Sequence, residues 1–327
     1  MPLDIGVGLW TMQSTASYPH SIPGQYRAFP DEARHVEELG FGSLWLGEHR
    51  FWYDAWVPAP MLPIAAGVAA TSTLRFGTAM MLLPQHDPDR LAATAASLNA
   101  LGGRRFDVGV GLGHRDAEYD GLGIARPSRG RRMDAGLDRL TAPVYGLAPD
   151  TIWVGGMAEA ALRRLGCRGM SAMLPQTLDE RALRGAVHTI GEAAAAADVP
   201  RGRIGVLKDV WVDTDGARAR EWFLPRLRDH YQEEAGAWWV LKGRGHGFSQ
   251  RDVLDRQVDR VVASAIVGDP GEVAERLAEL PACGVDKVVV RLNFDFTYGP
   301  ALRRALELFA GSVLPLVRAA TVEAVTA

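Results

Sequence analysis

Short apolar runs alternate with helix-like segments along almost the whole chain, and that rhythm restricts the fold more than any other feature. The runs occupy residues 5–10, 43–47, 74–83, 106–111, 151–155, 169–174, 204–212 and 286–292. The segments between them carry helix punctuation. In HDPDRLAATAASLNALGG, Asp87 is placed to N-cap and Pro88 to take the first helical position. Leu91, Leu98 and Leu101 then share a face, and Gly102 is expected to close the helix in a left-handed conformation. GDPGEVAERLAELPACG repeats the scheme with Asp269, Pro270, Val273, Leu277, Leu280 and Gly284. Eight strands with intervening helices suit a (β/α)8 TIM barrel, an α/β fold spanning 1–327 as one unit. A doubly wound sheet usually has fewer strands and a Gly-rich turn after the first, whereas here the first run leads into TMQSTASYPHSIPG. The rhythm breaks once. Between strand 7 and Asp286 lie about 75 residues, too many for one helix and two loops. They include GAWWVLKGRGHGFSQ and read as a helix followed by an excursion near the barrel mouth, between strand 7 and helix 8.

Composition excludes several classes of function. With 47% hydrophobic and 23% charged residues the chain has the makings of a large core. Its 36 Lys+Arg against 39 Asp+Glu, net −3, give no electrostatic case for nucleic acid or an anionic membrane. Cys167 and Cys283 have no metal spacing, so neither a disulfide framework nor a zinc site is expected. The start MPLDIGVGLW lacks a basic region and cleavage site, and no run of about 18 apolar residues occurs. A cytoplasmic enzyme is the expectation.

Barrel enzymes place their chemistry at the carboxyl ends of the strands, so the polar residues falling there carry the weight. FGSLWLGEHRFWYDAW delivers Glu48, His49 and Arg50 from a buried strand into Phe51, Trp52, Tyr53 and Trp56. His49 is suited to proton transfer, with Glu48 placed to hold its tautomer. The plain alternative is a solvated polar trio at a strand end; the aromatic block favours a pocket that excludes water. Pro84, Gln85 and His86 follow strand three. After strand four, GVGLGHRDAEYDGLG offers a Gly-rich end that lets a flat ligand approach the backbone. Neither the spacing of a dinucleotide fingerprint nor the rest of a kinase loop accompanies it. After strand five, Gly155-Gly156-Met157 leads straight into a helix, a natural phosphate seat, with Arg129, Arg131 and Arg132 near enough in sequence to add charge. His and carboxylates are too scattered for a metal hydrolase, so no metal is expected.

In this order the motifs resemble the bacterial luciferase-like flavin-dependent monooxygenases over nearly the whole chain. FGSLWLGEHR is similar to that family's strand-two signature, and TLRFGTAMMLLPQHDPDRLAATAASLNALGGRRFDVGVGLG to its third strand, helix start and fourth strand. GHRDAEYDGLG, IWVGG and IVGDPGEVAERLAELPACGVDKVVVRL continue the match. The resemblance implies an oxidoreductase, a flavoprotein that uses reduced FMN and O2 through a C4a-hydroperoxyflavin to oxidise a small organic substrate. Reduced FMN would come from a separate flavin reductase, a transient partner, and the oxygenase would be a homodimer. It makes His49 and Glu48 the catalytic pair. Thr78, Ala79 and Met80, with a cis bond at Ala79–Met80, would support the ring. Gly111, Leu112 and Gly113 would also contact the cofactor. Its phosphate would lie over Gly155, Gly156 and Met157 with Arg129 or Arg132. A deazaflavin-dependent hydride-transfer oxidoreductase and a non-catalytic flavin-binding relative are the alternatives. Met157, Ala160 and Leu112 stand where the family often has Ser, Thr or Arg, and TAPVYGLAPDTIW is shorter than the family's connection at that place.

Overall fold

Two indoles fill the centre of a closed parallel sheet. The computed structural model describes residues 3–241 and 248–326, with side chains described outside 234–254 and 321–326. The strands are β1 Asp4–Trp10, β2 Ser43–Leu46, β3 Arg75–Thr78, β4 Met81–Leu82, β5 Phe106–Gly111, β6 Ile152–Gly155, β7 Ser171–Leu174, β8 Ile204–Val212, β9 Ile266–Gly268 and β10 Lys287–Arg291. The sheet runs β10-β1-β2-β3-β5-β6-β7-β8, and β10 pairs with β8 to close it. The fold is a (β/α)8 TIM barrel. Trp45 and Trp153 meet edge to face at 5.6 Å inside it, packed with Leu9, Ala79, Met173 and Val289. Side chains this large need bare backbone opposite. A Cβ on Gly77 would lie 2.4 Å from the Trp45 ring, and one on Gly205 would lie 2.7 Å from Trp153. Below them Lys287 is buried with its ammonium 2.8 Å from Asp4 and 2.9 Å from Ser43.

Local signals set the helix starts. Asp87 accepts from the Arg90 amide at 2.9 Å, and Asp269 forms a reciprocal capping box with Glu272. Val273, Leu277 and Leu280 are buried as the pattern predicts, and so are Leu91 and Leu98. Two local expectations need correction. Leu101 is exposed, because it falls in the last turn where no neighbour covers it. Gly102 has φ −98, and Gly103 (φ 63) makes the left-handed turn one residue later.

The run 74–83 is two strands rather than one. Gly77 lies opposite Asp107, but Met81 lies opposite Val110, so the third strand carries one extra residue between β3 and β4. The Ala79–Met80 bond inside that irregularity is cis. The long interval after β8 holds helices Gly216–Leu241 and Phe248–Ser264, which pack together. β9 then extends the end of β8, with Val210 opposite Ile266. Residues 242–247 and the side chains of Trp238 and Trp239, part of the expected excursion, lie outside the described residues.

Candidate active site

All four residues of β2 are buried, and the chain leaves the barrel through Gly47 into Glu48-His49-Arg50. His49 does not use Glu48. Its Nδ1 lies 2.8 Å from Glu118 Oε1, contributed by the short helix Asp116–Gly121 after β5. The same oxygen accepts the Arg50 backbone N–H at 3.0 Å. Burial pushes the Glu118 carboxyl up, but the His49 bond and charge, the Arg50 amide and Arg115 together bring it below the usual carboxylate range. An ionised Glu118 requires the proton on Nδ1, which assigns Nε2 as the acceptor when His49 is neutral. Among the described residues no hydrogen bond engages Nε2.

Glu48 has a different task. Its carboxylate accepts the Leu82 backbone N–H at 2.7 Å and lies 2.9 Å from both Arg50 Nη2 and His86 Nε2. It fastens the end of β2 to β4 and to the loop beyond. The expectation that Glu48 orients His49 is therefore replaced by Glu118, 69 positions further on.

The aromatic block divides between wall and surface. Trp56 meets the His49 ring edge-on at 4.6 Å, and Trp52 lies 6.4 Å from it. Both indoles are buried, and the Arg115 guanidinium sits 3.2 Å over Trp52. Phe51 and Tyr53 turn outward instead. The loop is stitched to the end of β1, where Val57 N–H donates to the Thr11 carbonyl at 2.8 Å and Gln13 donates to Asp54.

The expected cofactor contacts separate in the same way. Thr78 is fully buried and its hydroxyl donates to the Gly109 carbonyl at 2.8 Å, so it ties β3 to β5 behind the mouth. Gly111 and Gly155 do leave backbone bare, but Met80 fills the space. A Cβ on Gly155 would come 2.8 Å from Met80 Cγ, and one on Gly111 would come 3.3 Å from Met80 Cβ. The Leu112 carbonyl accepts the Tyr119 hydroxyl, while Gly113 (φ 69) turns the chain beside Gln85. Gly156 and exposed Met157 precede the helix Glu159–Gly166, which has no side-chain N-cap. Arg132 donates to the Pro84 carbonyl at 2.6 Å, and Arg129 to that of Arg126 at 3.3 Å. Arg132 is thus a tie between helix and loop; half-buried Arg129 holds only a weak local contact among the described residues.

A second polar cluster, absent from the sequence reading, lies at the carboxyl ends of β8 and β10. The Tyr231 hydroxyl donates to Asp209 at 2.7 Å and accepts from Arg291 at 2.7 Å and Gln176 at 3.0 Å. Asp295 holds His230 at 2.9 Å and Thr15 at 2.7 Å. The Asn293 amide is buried with no hydrogen-bond partner among the described residues. No single stretch of sequence contains these groups; only closure of β10 on β8 brings them together.

The sequence profile described as luciferase-like monooxygenase matches residues 5–146 and 134–287. The chain belongs to the luciferase-like monooxygenase family. The two matched segments overlap on residues 134–146, the end of the helix Arg129–Leu140 and the start of the connection before β6. The 4-hydroxyprotoasukamycin monooxygenase of Streptomyces nodosus subsp. asukaensis is 27% identical over 317 residues, covering 86% of this chain and 84% of that one. Among solved structures, the oxygenating constituent of 3,6-diketocamphane monooxygenase from Pseudomonas putida, in complex with FMN, superposes with a TM-score of 0.71. It is 19% identical and covers 95% of this chain and 98% of that one. An F420-dependent secondary alcohol dehydrogenase has a TM-score of 0.73 at 15% identity, covering 97% and 100%. At such identities these two likenesses concern the fold. Membership of the family supports an oxidoreductase or monooxygenase enzyme. No helix among the described residues is long and apolar enough to cross a membrane.

Proposed function

We propose that this luciferase-like monooxygenase is the oxygenase of a two-component system that receives reduced FMN from a separate flavin reductase. The observation that carries the proposal is the His49–Glu118 pair, with Nε2 unengaged beside Trp56 and the strand ends that lack side chains. Those residues fit a flat, polar-edged cofactor. The Ala79–Met80 backbone would underlie it, with Gly111, Gly113 and Gly155 along one side once the flexible Met80 side chain swings out. Gly156, Met157 and Arg129 would face its phosphate at an uncapped helix start. The FMN in the diketocamphane enzyme, itself an oxygenating constituent, supports the same cofactor and the reductase partner. A homodimer and a cytoplasmic location belong to the same reading.

Bound reduced FMN would supply the electrons that activate dioxygen for insertion into a small organic substrate. The protein's own part is proton management and exclusion of water. His49 takes or returns a proton through Nε2, and Glu118 holds the ring by Nδ1 in the orientation this requires. Trp52 and Trp56 keep water from that proton. Glu48 fixes the loop from which His49 projects.

Oxygen uptake with supplied flavin reductase, FMN and NADH tests the proposal. His49→Ala should keep flavin binding within about threefold and lower coupled oxygenation by about 10²-fold or more. Wild-type protein that binds neither oxidised nor reduced FMN would refute it. The F420-dependent neighbour supports a second reading, hydride transfer with a deazaflavin. Parallel titrations with FMN and F420 separate the two, and binding without turnover would indicate a relative that has lost catalysis.

A further inference from the structure

β8 sends Ile204, Val206, Val210 and Val212 outward against the helices, all buried and apolar. Lys208 stands in the same row and is only 6% exposed. Lys287 is the other deeply buried lysine among the described residues. Lys287 has the Asp4 carboxylate at 2.8 Å. Lys208 donates to the carbonyls of Leu178 at 3.0 Å and Gln176 at 3.3 Å, and among the described residues no carboxylate pairs with it. Burial pushes this amine below the usual lysine range. Asp209 and Asp179 act on it only from beyond ion-pair distance. An ammonium placed in an apolar layer with no carboxylate in contact is costly, and it is retained where something else compensates it.

The compensation the surroundings offer is a cavity of about 630 Å³ on the outer flank of the barrel, which Lys208 lines. Arg260 and Arg276 line it too. Arg276 donates to the Ala265 carbonyl at 2.9 Å, and Arg260 forms no hydrogen bond or ion pair among the described residues. Three acids share the wall, but two are engaged. Asp179 caps the Ala182 amide at 2.8 Å and Glu180 pairs with Arg184 at 2.7 Å. Asp179 and Glu279 keep their charge, so the wall carries both signs, but among the described residues neither lies within ion-pair distance of Lys208 or Arg260. The remaining wall is apolar, with Leu178, Leu183 and Leu280. The volume is within the range of small-molecule sites, roughly 300–1,000 Å³.

We propose that this cavity is a binding site for an organic monocarboxylate, its charge neutralising Lys208 and its apolar body lying on Leu178, Leu183 and Leu280. Arg260 and Arg276 complete the positive side of the wall. The site is separate from the barrel mouth yet joined to it. The loop after β7 that Lys208 holds by two carbonyls also sends the Gln176 side chain to Tyr231 and the Thr177 hydroxyl to within 3.9 Å of Met157 Sδ. A carboxylate that draws the ammonium away from those carbonyls loosens a loop that touches the mouth at both points. Either flavin at the mouth leaves this cavity open to its ligand.

Thermal shift and calorimetric titration of the full chain test it, with octanoate as probe and 1-octanol and inorganic phosphate as controls. Octanoate should raise Tm saturably and 1-octanol should not. Lys208→Met keeps length and removes the uncompensated charge, so it should fold and lose the octanoate response. Arg260→Gln, on the exposed side of the wall, should weaken octanoate binding at least fivefold, and it decides the matter if Lys208→Met does not fold. An undiminished response in both variants overturns the proposal. So does an equal response to 1-octanol, and a larger response to phosphate would make this an inorganic-anion site instead.

Discussion

His49 Nδ1 and Glu118 Oε1 lie 2.8 Å apart, joining the loop after β2 to the helix after β5 across 69 positions of sequence. That pairing predicts a specific pH signature. Glu118→Gln keeps an oxygen for the Nδ1 proton and removes the carboxyl that can itself titrate. The acidic limb of the pH–rate profile, where the depressed Glu118 carboxyl takes up its proton, should therefore be lost, and turnover should fall roughly 10-fold or more. Glu118→Ala should lose more turnover at every pH. A steady-state profile of oxygenation checks this; an unmoved limb in Glu118→Gln would give the acid a purely structural part.

Glu48 should behave in the opposite manner. It serves the Leu82 amide, Arg50 and His86, all on one carboxylate that is 2% exposed. Glu48→Ala leaves these donors facing a buried gap, at a cost of about 3–5 kcal/mol, the range for breaking a buried charged network. Urea unfolding should register that loss. In whatever fraction remains folded, the pH limb should stay where the wild type has it, because Glu48 does not touch His49.

How far the sequence could be read follows from the range of each interaction. Strands and helix starts are written in adjacent residues, so Asp87, Asp269 and the apolar runs declare themselves. Glu118 does not, since its partner is brought to it by the barrel and nothing in DAEYDG specifies a histidine. The resemblance makes Thr78 a cofactor contact, yet its buried hydroxyl donates to the Gly109 carbonyl on the neighbouring strand. Lys208 is hidden in a different way. In IGVLKDVWV it looks like one charge in a strand that must end near water, and only the strand's alternation, once its inward side is known, places it among the helices. Asp209, Tyr231 and Arg291 belong to three separate segments, and no spacing rule connects them.

Stability should fall on acidification through two buried acids. For Asp295, burial raises the carboxyl, but bonds from His230, Thr15 and the Phe296 amide carry the balance below the usual range. Glu118 is lowered likewise. Each contributes stability that is complete above the ordinary carboxylate pKa of about 4 and is lost as pH drops through the depressed native value. Tm should therefore decline from about pH 5 downward. Asp295→Asn and Glu118→Gln should start from a lower Tm at neutral pH and decline less steeply, and a set of melting curves between pH 3 and 7 would reveal it. Parallel curves for wild type and both variants would place the acid sensitivity in other groups.

Gly77 and Gly155 both adjoin a large side chain, but they should respond to alanine very differently. A Cβ on Gly77 meets the Trp45 ring at 2.4 Å, and that indole is wedged against Trp153 in the filled interior with nowhere to go. Overpacking against a fixed ring costs about 1–3 kcal/mol or more. A Cβ on Gly155 meets Met80 Cγ at 2.8 Å, part of a flexible, half-buried chain that can swing aside. Gly155→Ala should cost less than about 1 kcal/mol in urea unfolding, near the ordinary range for a tolerated substitution. Its effect should appear instead on the ligand. If the bare strand ends of β5 and β6 take the flavin, the added methyl and the displaced Met80 occupy the same space, and FMN affinity should fall at least 10-fold. Met80→Ala, which empties that space, should hold FMN at least as tightly as the wild type. Fluorescence titration of the two variants side by side decides the matter, since FMN affinities unchanged in both would put the ring elsewhere.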